Sequence, residues 1–391
     1  MARRYVIIGG GIAGTTAAEE LRKLDTQAHI TIIEQEFHPL YSRVLLPHYI
    51  KGKVPRERVF LKKPEWYGEK NIELMSGVIA QAIDTTNRFV TTSDGREIPY
   101  DALLITTGGE LRTIDETHRG VCYLRGVDDA DQILQTIKEV RAVTKNPRAL
   151  VYGGGFIALE FINIFKHFDL PTTVLKRGDG FWSRTLGAHS KHVLAQHALA
   201  GGVALEIGVG PVEVLGEGDV KGLAADDGRV FDGQIVGVGI GLDRAMTFIH
   251  EAGIEVNEGI LANEYLETNA QDVYTAGDIA QYDDVTVGRS MIAGNWMNAL
   301  MQARAVARTM TGERTRFELV SSYATNLLGK EVVFVGDTDR QAADEVVEHV
   351  VDEESSCELF ERDGRTVGAI LIGETRQRQA VTNAIKKKEK Y

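Results

Sequence analysis

The chain has 391 residues, of which 43% are hydrophobic and 26% charged, and its net charge is −12. This length predicts two or three domains, and the acidic balance argues against general nucleic-acid binding. No apolar run approaches the roughly 20 residues that a membrane-spanning helix needs. The first apolar run is also too short for a signal-peptide core, so we expect a cytoplasmic protein.

The chain opens on YVIIGGGIAGTTAAEELRK, in which an apolar strand, Tyr5 to Ile8, runs into three glycines and then a predicted helix. Gly9, Gly11 and Gly14 suit a tight turn, a close backbone approach to a pyrophosphate and close packing of the helix on the strand. A second apolar strand ends in Glu34, whose carboxylate can accept hydrogen bonds from a ribose. These spacings predict a dinucleotide-binding unit, and the alternative is a glycine-rich structural turn.

The same pattern returns in RALVYGGGFIALEFINIFKHF, where the strand Ala149 to Tyr152 leads into Gly153, Gly155 and a helix. Ala158 takes the third glycine position, which the looser form of the motif allows. A second dinucleotide-binding unit is therefore predicted. Two such units imply a fixed flavin and a nicotinamide dinucleotide that comes and goes.

The strand after the second glycine motif ends in Lys176 and Arg177, where an acid would hold a free ribose. Cations at this place suit a 2′-phosphate, by charge and by the fork geometry of arginine. The pattern favours NADPH over NADH. The alternative is that the two cations merely end a solvated strand.

Cysteine and histidine usage points away from metal or thiol chemistry. Cys122 and Cys357 lie far apart and form no CxxC motif, so neither a redox pair nor a zinc site is predicted. His189, His192 and His197 fall on one predicted helix without a clear carboxylate partner. We interpret them as surface histidines and predict no metal site.

Together the motifs resemble those of the two-dinucleotide flavoproteins in the pyridine nucleotide–disulfide oxidoreductase superfamily, over nearly the whole chain. The likeness is greatest to rubredoxin and ferredoxin reductases, NADH oxidases and the flavin part of assimilatory nitrite reductases. YDALLITTGG and GQIVGVGIGLDR resemble the segments that close the FAD and NAD domains, and DVYTAGDIA and NWMNALMQARAVA resemble the late FAD motif and the helix after it. The resemblance implies FAD as cofactor and NADPH or NADH as substrate.

The resemblance implies an α/β fold with two Rossmann-like dinucleotide-binding domains, for FAD and NAD(P), and a small α+β C-terminal domain. The FAD domain would be split into residues 1–112 and 246–316, with the NAD(P) domain, 113–245, inserted and the C-terminal domain at 317–391. In the last of these, EVVFVG, CELFERDG and TVGAILIG alternate like strands, and QAVTNAIKKK reads as a closing helix. Relatives use this domain to cover the flavin region or to dimerise, so a homodimer is one expectation.

The resemblance also assigns site residues. Asp278 would be a hydrogen-bond partner of the ribityl chain or phosphates, and Trp296 would lie close to the isoalloxazine. For FAD the expected residues are Gly9, Gly11, Gly14, Glu34, Arg43, Val78, Thr107, Gly108, Asp278 and Trp296. For NAD(P) they are Gly153, Gly155, Glu160, Lys176, Arg177 and Gly239.

Relatives with a redox cysteine carry it in a segment that reads YSRVLLPHYIKGK here, and its place falls at Val44. Valine cannot form a thiolate, a sulfenate or a disulfide. Coenzyme A disulfide reduction, dithiol exchange and sulfenate-based peroxide reduction are therefore excluded at this position. The flavin is left as the sole redox stage.

Three residues are candidates for catalysis. The resemblance places Arg43 beside the flavin, where a cation would stabilise the reduced ring. Ferredoxin reductases carry a lysine near the position of His48, and it pairs with a glutamate that matches Glu160. We expect a His48–Glu160 pair near flavin N5 to manage the proton that accompanies hydride transfer. The alternative is a satisfied, partly buried His48, with Glu160 only steering the nicotinamide.

The stretch KGKVPRERVFLKK, residues 51–63, holds six cations and one acid in an otherwise acidic chain. Lys51, Lys53, Arg56 and Arg58 could steer a small acidic electron carrier, rubredoxin or ferredoxin, although such runs are usually solvated faces. The main prediction is an FAD-dependent NAD(P)H oxidoreductase that reduces an iron–sulfur carrier. The alternatives are an NAD(P)H oxidase or a reductase of a quinone or other small acceptor, and, in another class, a flavin-bearing subunit or NAD(P)H-controlled partner-binding protein.

Overall fold

The computed structural model of the protein describes residues 2–391, and the chain divides into two compact units. The first unit comprises the chain up to Ser42, Arg56–Glu110 and Asp243–Ser321. The second comprises Arg43–Pro55, Leu111–Leu242 and Ser322–Tyr391. The finer division into three domains stays a prediction.

The first third of the chain forms the following elements. The strands are β1 (Arg4–Ile8), β2 (His29–Glu34), β3 (Ile72–Ser76), β4 (Ala80–Asp84), β5 (Phe89–Thr92), β6 (Glu97–Pro99), β7 (Ala102–Ile105) and β8 (Glu110–Leu111). The α-helices are α1 (Ile12–Leu24), α2 (Leu46–Ile50) and α3 (Pro64–Glu69), and short 3₁₀ helices span Arg43–Leu45 and Arg56–Val59.

The middle of the chain alternates strands and helices in the same way. The strands are β9 (Val121–Cys122), β10 (Ala149–Gly153), β11 (Thr172–Lys176), β12 (Val203–Ile207), β13 (Val212–Glu217), β14 (Asp219–Ala225), β15 (Val230–Asp232), β16 (Ile235–Gly239) and β17 (Leu242–Asp243). The helices are α4 (Val127–Val143), α5 (Phe156–His167) and α6 (Ala188–Ala200).

The last part of the chain contains short strands, one long helix and a strand-rich end. The strands are β18 (Ile260–Ala262), β19 (Val273–Thr275), β20 (Ala280–Asp284), β21 (Arg289–Met291), β22 (Ser322–Leu327), β23 (Lys330–Gly336), β24 (Glu345–Val350), β25 (Ser356–Arg362) and β26 (Arg365–Ile372). The helices are α7 (Thr247–Glu251), α8 (Trp296–Met310) and α9 (Arg378–Lys387).

The first unit is built on a parallel sheet of strand order β19-β7-β1-β2-β3. Side chains alternate between its faces, as the pleat of a strand requires. Tyr5 and Ile7 pack in one buried cluster with residues of α1 and α8, while Val6 and Ile8 pack in the other with residues of β4, β5 and α7. Both faces are therefore covered, which explains why β1 is apolar throughout its last four residues.

The second unit contains a parallel sheet of order β12-β11-β10-β16-β9 and an antiparallel sheet of order β22-β23-β26-β25-β24. Helix α5 packs on the parallel sheet, and β13, β14 and β15 form a small antiparallel sheet beside it. Helix α9 packs on the C-terminal sheet. These two parallel α/β sheets and the α+β end confirm the predicted fold class. Within residues 2–391 no helix is both long and apolar enough to cross a membrane.

A replacement of Gly14 by alanine is expected to destabilise the first unit, because a Cβ there would overlap the carbonyl oxygen of Gly9. Backbone cannot yield as a flexible side chain does, so we expect a loss of about 1–3 kcal/mol. Gly68→Ala in α3 is the matched control, since nothing lies within 4 Å of its added carbon, and it should gain about 0.5–1 kcal/mol. Urea unfolding measures both, and similar effects of the two substitutions would contradict the packing argument.

Candidate active site

The first glycine turn connects β1 to α1 at the carboxyl edge of the parallel sheet. Gly9 has a φ of +102°, and its missing side chain allows the carbonyl oxygen of Thr106 to approach it closely. Gly14 in turn packs against Gly9. Gly11, the N-cap of α1, has no atom within 4 Å of an added Cβ. Exposed N–H groups at a helix N-terminus with open space in front suit a pyrophosphate.

Polar groups from three neighbouring strands gather at the same edge. The Glu34 carboxylate accepts hydrogen bonds from the N–H groups of Gly10 and Glu36, the second at 2.9 Å. The Thr107 hydroxyl is buried without a hydrogen-bond partner among the described residues, at the end of β7. An orphaned buried hydroxyl is rare in native proteins and indicates a missing partner. The residues present therefore fit a dinucleotide such as FAD.

The remaining residues expected around FAD are placed as follows. Asp278 lies after β19 and is half-buried, and its backbone carbonyl oxygen accepts a hydrogen bond from Arg244 Nε at 2.7 Å. Trp296 is the first residue of α8 and is half-buried. The Val78 N–H donates to the Glu34 carbonyl oxygen at 3.0 Å, and Gly108 has a φ of +70°. Their contacts with a flavin stay predictions.

The second glycine turn, in the second unit, repeats this design. Gly153 has a φ of +132°, and an added Cβ would overlap the carbonyl oxygen of Gly239 at the end of β16. Gly239 itself packs against the backbone of Ala158 in α5. Gly155 is the N-cap of α5 and has open space in front of it. This turn also fits a dinucleotide pyrophosphate.

The two cations at the end of β11 differ in environment. Lys176 is 3% exposed, and its Nζ lies 4.2 Å from the ring centroid of Phe181. Burial lowers the pKa of Lys176 to about 8, against a weaker opposing effect of Asp179. Arg177 is exposed. Of the two residues predicted to hold a 2′-phosphate, only Arg177 is exposed to solvent; sequence spacing carried no signal of this difference.

From Arg43 onwards the Tyr41–Lys53 segment belongs to the second unit. Arg43 donates a hydrogen bond from Nη1 to the Arg125 carbonyl oxygen at 2.5 Å, and the Tyr49 hydroxyl donates to Asp131 Oδ1 at 2.6 Å. These contacts hold α2 against α4, and no pattern in the sequence predicts them. Val44 is 58% exposed in the 3₁₀ helix that precedes α2.

The acid/base candidates fall on this segment and on α5. Burial raises the pKa of Glu160, and the positive charge of Lys51 opposes that rise. His48 is largely exposed to solvent. Its pKa is lowered by the burial of part of its side chain and by the charges of Lys51 and Lys53. The structure thus couples Glu160 to Lys51, one helical turn beyond His48. A His48–Glu160 pair stays a prediction, because no hydrogen bond joins the two in the structure.

Both cysteines are free and buried. Burial raises the pKa of Cys122 to about 12 and that of Cys357 to about 11. Thiols with such values are protonated at neutral pH and are poor nucleophiles. Among residues 2–391 no group of three or more His, Cys, Asp or Glu side chains could hold a metal ion.

The cations predicted to dock a partner are unequally available. Lys51 is half-buried, and burial is the main cause of its lowered pKa. The Arg56 guanidinium lies 5.4 Å from the ring centroid of Phe60. Lys53 and Arg58 are exposed. Docking at these residues stays a prediction, and exposure favours the last two.

Comparison with known proteins places this architecture. The chain is 28% identical over 393 residues to the NAD(P)H nitrite reductase of Bacillus subtilis (strain 168), covering 98% of this chain but only 47% of that protein. It is 29% identical over 342 residues to the ferredoxin–NAD(+) reductase subunit of the benzene 1,2-dioxygenase system of Pseudomonas putida, covering 87% and 82%.

Among solved structures, putidaredoxin reductase in its covalent complex with putidaredoxin superposes with a TM-score of 0.89. The sequences are 23% identical, and the match covers 99% of this chain and 94% of that one, which shows a shared fold. The sequence profile of the pyridine nucleotide-disulphide oxidoreductases matches residues 3–303. The predicted resemblance is confirmed, and the chain belongs to the pyridine nucleotide-disulphide oxidoreductase family.

Proposed function

We propose that this protein is an FAD-dependent NAD(P)H oxidoreductase that reduces a small iron–sulfur carrier protein. The observation that carries the proposal is the pair of open glycine turns, each at the N-terminus of a helix and each with its own strand-end side chains. The strand that follows the first turn and its helix ends at the acid Glu34, and the strand that follows the second ends at the cations Lys176 and Arg177. That contrast suits two different dinucleotides. The similarity to ferredoxin–NAD(+) reductases supports the choice of acceptor.

FAD, when bound, supplies hydride acceptance and the release of one or two electrons. The chain's own part is to hold and orient the two dinucleotides. Glu34, Thr107 and Asp278 would bind polar groups of FAD, and Gly11 and Gly155 would leave room for the pyrophosphates. Because both cysteines have raised pKa values, sulfur of this chain has no part in the proposed electron path.

We assign to Glu160 the handling of the proton that accompanies hydride transfer. Its carboxyl has a raised pKa and therefore holds a proton more readily than an exposed glutamate. Lys51 keeps that pKa from rising further. The lowered pKa of His48 favours its neutral form, and a neutral imidazole can accept a proton. Arg43 donates a hydrogen bond to the Arg125 carbonyl oxygen, which holds its guanidinium in place, and a cation beside the flavin would stabilise the reduced ring.

The acceptor is proposed to be an acidic carrier, rubredoxin or ferredoxin, steered by Lys53 and Arg58. A chain of net charge −12 repels acidic partners in general. A local basic segment would therefore determine where an acidic carrier binds. We also propose a cytoplasmic location and a homodimer formed through the C-terminal domain.

The experiment that tests the function is an anaerobic titration of the purified protein with NADPH and, separately, with NADH. We expect co-purified FAD, bleaching by both, faster bleaching by NADPH because Arg177 is exposed, and slow reoxidation on admitting air. Fast reoxidation with turnover would contradict carrier reduction in favour of an oxidase. Absence of flavin, or no bleaching by either nucleotide, would overturn the enzyme assignment.

Reversing two exposed charges should weaken carrier reduction alone. We expect Lys53→Glu with Arg58→Glu to lower kcat/KM for a ferredoxin or rubredoxin about tenfold at low salt, because steering is electrostatic. Reduction of ferricyanide should be unchanged. The charge-matched control is Lys386→Glu with Lys387→Glu in α9, both exposed in the wild type. Equal losses with ferricyanide and the carrier, or in the control, would contradict docking at Lys53 and Arg58.

Removing the Lys51 charge should shift the pH dependence of flavin reduction. Lys51 lowers the pKa of Glu160, so Lys51→Met raises it further above its unperturbed value. Any limb of the rate profile set by Glu160 must then move to higher pH. Stopped-flow bleaching by NADPH between pH 5 and 9 measures it, with Lys53→Met as the control. A limb that stays in place, or that persists in Glu160→Gln, would show that Glu160 does not handle the proton.

A further inference from the structure

The segment from Arg177 to Gly187, here called the strap, connects β11 to α6 and lies against the second glycine turn. The backbone N–H of Trp182 donates to the Gly154 carbonyl oxygen at 2.9 Å. The indole ring lies 4.9 Å, centroid to centroid, from Phe156, the first residue of α5. The middle of the strap therefore touches both the turn and the helix that the dinucleotide would contact.

The far end of the strap is bound to the C-terminal sheet. Gly187 donates its N–H to Glu358 Oε1 at 2.8 Å, and Arg340 donates from Nε to the Thr185 carbonyl oxygen at 3.1 Å. Glu358, on β25, is fully buried and also pairs with Arg340. A buried carboxylate that accepts a backbone N–H and a guanidinium is a well-satisfied anchor.

Aromatic rings make a second connection between the turn and the sheet. The Phe156 ring lies 5.4 Å from Tyr323 on β22 and 5.2 Å from Phe334 on β23. Trp182 lies 5.3 Å from Phe334, which stacks on Tyr323 at 5.3 Å. The four rings form one packed cluster at distances typical of favourable aromatic pairs. The first turn of α5 thus contacts the C-terminal sheet directly through Phe156 and also by way of Trp182.

Trp182 carries two features that its packing does not explain. Its φ is +41°, a conformation rare for a bulky residue. Its indole N–H is buried and has no hydrogen-bond partner among the described residues. Strained backbone collects at ligand-binding sites, and a buried unpaired donor calls for a partner that the chain does not supply.

The base of the strap is firmly packed, so these features do not belong to a loose loop. Phe181 is fully buried beneath the Lys176 ammonium. Gly178 lets Ser183 approach closely, and Gly180 does the same for the side chain of Lys191. Trp182 is therefore held beside the glycine turn by neighbours on both sides.

We propose that Trp182 is a positioning residue for the pyridine dinucleotide, and that the strap transmits its binding to the C-terminal sheet. Because the indole N–H is buried in the free protein, binding must first turn the Trp182 ring, after which its N–H donates a hydrogen bond to an oxygen of the dinucleotide's pyrophosphate or ribose. The strap and the ring cluster then carry the shift to β22 and β23. The inference rests on the proposed use of the second glycine turn by NAD(P)H.

The test removes the N–H and keeps a ring, in Trp182→Phe. NADP⁺ and NAD⁺, which do not reduce the flavin, are titrated calorimetrically into the flavin-loaded protein. We expect a Kd for the preferred dinucleotide about five- to tenfold weaker and an unchanged melting temperature, because the N–H is unpaired in the free protein. Trp66→Phe, in α3, is the matched control and should bind like the wild type.

Hydrogen exchange supplies the second measurement. Saturating dinucleotide should slow exchange in the strap, β22 and β23 of the wild type, and leave β4, β5 and β6 of the other unit unchanged. Wild-type affinity in Trp182→Phe, or a loss of affinity that follows a lowered melting temperature, would overturn the role of the N–H. Unchanged exchange in β22 and β23 would overturn the transmission. If the wild type bound neither dinucleotide, the proposed function itself would fail.

Discussion

The site depends on one constraint, the close approach of a helix to the carboxyl ends of the strands in its parallel sheet. At Gly14 and Gly239 the neighbouring backbone leaves no room for a side chain, and this contact brings the N-terminus of each helix to the carboxyl edge of its sheet. Several N–H groups that lack partners within the helix then point at the same place. An anion is favoured there before any side chain contributes. Both dinucleotide sites follow from this backbone geometry, and the side chains at the strand ends only distinguish them.

The family is named for a disulfide, but both cysteines of this chain are free and buried. The resemblance aligns Val44, which is exposed, with the redox cysteine of some relatives. The two cysteines of this chain lie elsewhere and are buried, and their pKa values are raised. Burial in apolar surroundings favours the neutral thiol. The proposed chemistry is therefore confined to the two dinucleotides, and the protein contributes charge, orientation and a proton-holding group. In the proposed mechanism that group is Glu160, on whose carboxyl burial and the neighbouring cation Lys51 act in opposite directions.

In the second unit, two sets of contacts connect the second glycine turn to the C-terminal sheet. The strap and the four-ring cluster contact both the turn and the sheet. The fully buried Glu358 carboxylate binds the end of the strap at Gly187. The proposed transmission requires that Trp182 have two discrete surroundings, one with a ligand and one without. Coupling between a site and a distant surface needs an element of this kind.

The sequence by itself determined the elements whose signal is local. The glycine spacings, the apolar strands and the strand-end acid specified both dinucleotide units, and the strands β1 and β10 begin and end within one residue of their predicted limits. The sequence also determined that position 44 has no redox cysteine, because valine carries no sulfur in any fold. Tertiary structure decided the rest. Lys176 and Arg177 are neighbours of equal charge, yet only packing against Phe181 buries the first and leaves the second in solvent. The charge of Lys51 acts on Glu160 because helix α2 packs against α4 and α5, which no spacing encodes. Burial and charge coupling depend on residues far apart in the chain, so they could not be inferred from local pattern.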